Sequence, residues 1–155
     1  MRHSSRWIVA ILITAGLALP GCMKSAEDTD DNESGVVRVV NMDGTGVKRL
    51  TLTQQAADRL GIQTVTVRES KITPPGGGKS ATRKVIPYTA VLYDVRGNTW
   101  VYTMPEQLTF VRDRVAIDYI EGGLAVLLSG PPSGTAIVTA GAPELYGTEF
   151  GVGEE

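Results

Sequence analysis

The chain holds one cysteine and one histidine among its 155 residues, Cys22 and His3, both near the start. A lone cysteine closes no internal disulfide, so no cystine framework holds this fold. His3 lies ahead of an apolar run, and a chain cleaved after that run keeps no histidine. The commonest general base, the thiol nucleophile and the commonest zinc ligands are then gone together. Basic residues are also short: 15 Lys and Arg against 17 Asp and Glu give a net charge of -2 and a pI near 5.5. Nucleic-acid recognition wants a clustered basic face, so that class is set aside. The apolar run Trp7 to Leu19 falls short of the roughly twenty residues that cross a bilayer. No segment repeats an apolar heptad, and no long helical hairpin is expected. Met23, Met42 and Met104 are scattered, whereas soft-metal sites need converging thioethers. Gly78-Lys79-Ser80 lacks the glycine a phosphate loop places five residues earlier, where Thr73 stands. No cofactor and no metal are expected.

What is present begins with Arg2 and Arg6 ahead of that apolar run, the layout of an export signal. Leu19-Pro20-Gly21-Cys22 resembles the lipobox of bacterial lipoproteins. The resemblance implies a signal peptide over 1–21 and lipidation of Cys22, with a diacylglyceryl group and a further acyl chain such as palmitate. Two or more chains, at about 0.8 kcal/mol per buried methylene, hold a protein at a membrane. A plain secretory signal or an uncleaved anchor is the alternative. The expected location is the cell envelope, lipid-anchored and facing the periplasm. Lys24 to Gly35 carries Glu27, Asp28, Asp30, Asp31 and Glu33 and reads, within 22–46, as an acidic flexible tether. It lacks the spacing of an EF-hand.

The remainder, 47–155, reads as one mainly β domain: a small antiparallel β-barrel or sandwich of about six strands with one short helix. Val36 to Val40 is a candidate short strand and Asp43 to Gly46 a turn. Thr53 caps a helix over Gln54 to Leu60, with Leu52 as the staple before it and Gly61 as the stop. Ile62 to Val67 alternates as a strand. Residues 71–84, around Pro74-Pro75-Gly76-Gly77-Gly78, form a Pro/Gly linker without apolar period. Pro87 to Tyr102 reads as two strands turned at Gly97, with Val85 to Tyr93 extended throughout and Trp100 and Tyr102 sharing a face. Trp100 is expected to pack against the sheet rather than serve as a binding platform. Phe110 to Ile120, Leu124 to Leu128 and Thr135 to Thr139 supply further strands.

Three stretches in order carry a second resemblance: VIPYTAVLYDVRGNTWVY, FVRDRVAI and SGPPSGTAIVTAGAPELYGTEFGVG. Together with Leu50-Thr51-Leu52-Thr53 through Leu60-Gly61-Ile62, they resemble the membrane-proximal domain of periplasmic adaptor subunits, the membrane fusion proteins of RND-type efflux systems. A full adaptor carries a β-barrel domain, a lipoyl-like domain and a helical hairpin between these segments; here only Glu69 to Lys84 joins them. The resemblance implies a non-catalytic envelope lipoprotein whose β-domain docks on an RND transporter or its adaptor subunits. A stand-alone ligand-binding or structural envelope lipoprotein is the alternative, and a remnant of a full adaptor a third. Asp113 with Asp118, or Asp94 with Asp118, are the carboxylate pairs an enzyme would use, but charges at strand ends and turns are usually solvated. Arg112, Asp113 and Arg114 alternate in sign and read as an exposed strand face. One structural expectation follows from the resemblance: Ile62 to Val67 belongs to the same sheet as the Pro87 to Tyr102 hairpin.

Overall fold

The computed structural model describes residues 38–151. Cys22 and the signal and lipidation readings lie outside them. Within them the chain is mainly β, an antiparallel sheet curled into a half-barrel.

Strands β1 (Arg38–Met42) and β2 (Val47–Thr51) form a hairpin, with Arg38 opposite Thr51 and Met42 opposite Val47. Thr45 closes its turn by donating from Oγ1 to Met42 O at 2.9 Å. The strand expected over Val36 to Val40 is present across its described part and runs on to Met42, ahead of the Val47 at which the domain was expected to begin. Helix α1 (Gln54–Arg59) follows, and Thr53 Oγ1 accepts from Ala56 N at 3.1 Å, the cap its position implied. Leu52, Ala56 and Ala57 are buried beneath it.

After β3 (Gln63–Thr66) the structure corrects the expected linker. Strands β4 (Arg68–Ile72) and β5 (Ala81–Pro87) pair antiparallel from Arg68 opposite Val85 to Ile72 opposite Ala81. Only the tip, around Pro74 to Gly78, is a turn. Most of this ribbon is solvated on both faces, so it has no apolar alternation from which a strand could be read. The continuous strand expected over Val85 to Tyr93 is corrected too. It stops at Pro87, makes one 3-10 turn over Tyr88–Ala90 that buries Ala90, and resumes as β6 (Leu92–Tyr93).

Strand β7 (Thr99–Glu106) returns from β6 around Gly97, whose φ of +79° is the left-handed conformation glycine allows. Then come β8 (Thr109–Glu121), β9 (Leu124–Ser129) and β10 (Ala136–Ala140). The strand path is β3-β10-β7-β8-β9-β5-β4, with β2 joined to the start of β8. β3 pairs with β10, and β10 with β7 of the hairpin, so the two stretches expected in one sheet share it. The described residues hold ten strands rather than about six, because β4 and β5 carry little apolar pattern and the strand expected over Val85 to Tyr93 divides after Pro87.

A second helix, α2 (Ala142–Phe150), was not expected beyond the last strand. Its signals are Pro143 and Glu144 in the first turn and Gly151 after the last. Gly141 precedes it at φ +81°, and a Cβ there would run into the Ile62 side chain and come within 3.0 Å of Leu60 O. Two clusters fill the interior. One gathers Leu50, Leu52, Tyr102, Phe110, Val138 and Leu145 under the helices. The other gathers Val67, Ile86, Val101, Val115, Leu127 and Ile137 between the strands.

Candidate functional site

Alternation on two neighbouring strands builds one side of the site. Trp100 and Tyr102 project from β7 and sit opposite Arg114 and Arg112 on β8, so all four fall on the face that α2 covers. Helical spacing builds the other side. Leu145 and Glu149, one turn apart, are both buried, while Tyr146 and Phe150 form the adjoining stripe with ring centroids 4.6 Å apart.

Glu149 is the buried anion of this assembly, with its side chain fully enclosed. Arg112 Nε donates to its Oε2 at 3.1 Å and Nη2 to its Oε1 at 3.2 Å, a bidentate pair. Tyr102 Oη donates to Oε2 at 2.5 Å, and the Lys48 backbone N to Oε1 at 3.3 Å. Lys48 Nζ reaches the carbonyl of the same residue at 2.6 Å. Burial, and then the Glu149 carboxylate beside it, push the Tyr102 hydroxyl well above the ordinary tyrosine range, so it stays a donor. The Arg112 guanidinium lies 4.2 Å from the Trp100 ring centroid, 5.2 Å from that of Phe150 and 5.6 Å from that of Tyr146. A cation held by three aromatic rings and one carboxylate is a rigid floor.

Above that floor lies an open groove of about 450 Å³. The β6–β7 loop forms one rim and is fixed by Asp94. Its Oδ1 accepts from the backbone N of Arg96 and of Asn98, each at 2.8 Å, and its Oδ2 from Asn98 Nδ2 at 2.8 Å and Trp100 Nε1 at 3.1 Å. These bonds, that from the Asn98 amide foremost, hold the Asp94 carboxyl well below the usual carboxylate range. Arg114 Nη2 donates to Asn98 Oδ1 at 2.6 Å, and Arg96 lies exposed beside it. The turn at Thr45 and Gly46 closes one end.

The oxygens of Asp94 and Glu149 all accept from protein donors. Asp94 is a loop brace, and Asp113 and Asp118 stand five residues apart on β8. Among the described residues no group of three His, Cys, Asp or Glu could hold a metal ion. The exposed face expected for Arg112 is corrected: it is 8% exposed and paired across the core, because α2 supplies a carboxylate to that side of β8. Trp100, expected to pack against the sheet, is half-buried on β7 with Arg112 over its ring, and it also lines the groove. Glu149, Tyr146 and Phe150 were missed. The i, i+4 pairs Leu145/Glu149 and Tyr146/Phe150 in a segment opened by Pro143 were the signal that could have found them.

No protein-family model matches this chain, and no curated protein matches its sequence.

Proposed function

We propose that the protein is a non-catalytic lipoprotein of the cell envelope, anchored through lipidated Cys22 and facing the periplasm, whose β-domain docks on an RND-type transporter or its adaptor subunits. One observation carries this reading: β3 and the β6–β7 hairpin, which belong to the two separate adaptor-like segments of the sequence, lie in a single sheet joined by β10. Two separated segments that join one antiparallel sheet can share a core without the lipoyl-like and hairpin parts of a full adaptor. The domain acts by contact, held near the bilayer by its acyl chains.

Crosslinking in intact cells, with a photoreactive residue at exposed Tyr93 or Leu128, tests it. The expected product contains a transporter or adaptor subunit. Repeated capture of neither would overturn the docking role. Incorporation of labelled palmitate is expected to vanish in Cys22→Ser, and its survival would overturn the anchor.

A further inference from the structure

We propose that the groove between the β6–β7 loop and α2 binds a small organic carboxylate carried on a planar apolar body. This does not depend on the docking reading.

The groove has the two surfaces such a ligand needs. Its apolar side is made by Trp100, half-buried with its ring 4.2 Å from the Arg112 guanidinium, and by Phe150, which is 48% exposed. Val95 at the loop tip is fully exposed above them. Large apolar side chains left open beside a pocket of this size, in the range of small-molecule sites, mark surface that a ligand would cover. Its polar side is cationic. Arg96 makes no side-chain hydrogen bond among the described residues, and Arg114 spends only one nitrogen, on Asn98. Arg112 is more than nine-tenths buried, yet its Nη1 has no partner among the described residues. Arg112 is itself among the residues that line the groove. Guanidinium forks match a planar carboxylate.

The charge of the lining selects the ligand. Asp94 and Glu149 turn every oxygen toward protein donors and offer none to a cation. Arg112 is answered by Glu149, whereas Arg96 and Arg114 line the groove with no carboxylate among their side-chain partners in the described residues, which suits the planar fork of a carboxylate. A neutral aromatic compound would fill the apolar side and leave the arginines unanswered.

The probe is 2-naphthoate, with uncharged 2-naphthalenemethanol as its control. The protein is the full-length chain carrying Trp7→Phe, which leaves Trp100 as its single indole. In a ¹⁵N-labelled sample the Trp100 indole N–H resonance is expected to shift saturably with naphthoate, with a midpoint near or below about 1 mM for a ligand this small. Naphthalenemethanol is expected to bind at least about tenfold more weakly, the loss of a charge-assisted contact. Arg96→Gln with Arg114→Gln is expected to weaken naphthoate by a similar factor and leave the alcohol unchanged. An indole resonance that does not move, or equal affinity for the two probes in the unsubstituted groove, would overturn the proposal.

Discussion

The two ends of β8 pass through different kinds of interior. From Thr109 to Val115 the strand pairs with β7, with β2 on its other side as far as Val111, and its inward face includes Arg112, locked to Glu149, to which Tyr102 also donates, beneath α2. From Ala116 onward it pairs with β9, and the cluster on that side is apolar throughout: Val67, Ile86, Val101, Val115, Leu127 and Ile137. The apolar end gains stability in proportion to the surface it buries and tolerates approximate fits. The charged end is all or nothing. A paired, fully hydrogen-bonded ion pair costs little, whereas half of one is among the most destabilising features a core can contain. Position at the charged end is therefore fixed by hydrogen-bond geometry, and that is the end where the groove lies.

Substitutions at the two ends should differ accordingly. Glu149→Ala leaves Arg112 buried without its carboxylate and is expected to cost about 3–5 kcal/mol in urea unfolding, the largest effect here. Ile86→Ala at the apolar end opens a cavity and is expected to cost about 2–5 kcal/mol, with Ile86→Val recovering most of it. The two losses should separate in where they are felt. Glu149→Ala should shift the Trp100 indole resonance and expose α2 to hydrogen exchange, while Ile86→Ala leaves both near their original values. Equal disturbance of α2 by both changes would erase the distinction between the ends.

Tyr102→Phe removes one hydrogen bond to a charged acceptor and should cost about 1.5–3 kcal/mol, measured by thermal or urea unfolding. It also isolates the smallest effect. Tyr102 has its pKa raised above the ordinary 10.0 in the folded chain, so above pH 10 the unfolded chain has lost a proton that the folded one retains. Stability should therefore fall as pH rises past 10. Tyr102→Phe should flatten part of that decline, and an unchanged slope would mean the hydroxyl is not held in this way.

Much of the fold was legible because local signals and burial agreed. Thr53, Leu52 and Gly61 marked α1, and the alternation in Phe110 to Ile120 and Leu124 to Leu128 marked β8 and β9. The β4–β5 ribbon was hidden, since strands solvated on both faces carry no apolar period. The break at Pro87 was hidden because an extended strand and a 3-10 turn followed by a short strand can carry the same apolar residues. The site was hardest to see. Arg112 reads as a surface charge between Asp113 and Arg114, and nothing within β8 announces that a carboxylate 37 positions further along will cover it. Pairings between distant segments are decided by topology, and local pattern does not encode them.

A double-mutant cycle on Arg112→Met and Glu149→Leu in urea tests most directly whether α2 is fastened to the sheet by this pair. The expected result is that each single change costs about 3–5 kcal/mol, while the double variant, with neither charge left to strand, costs less than either alone. Costs that simply add, with no coupling between the two positions, would contradict it.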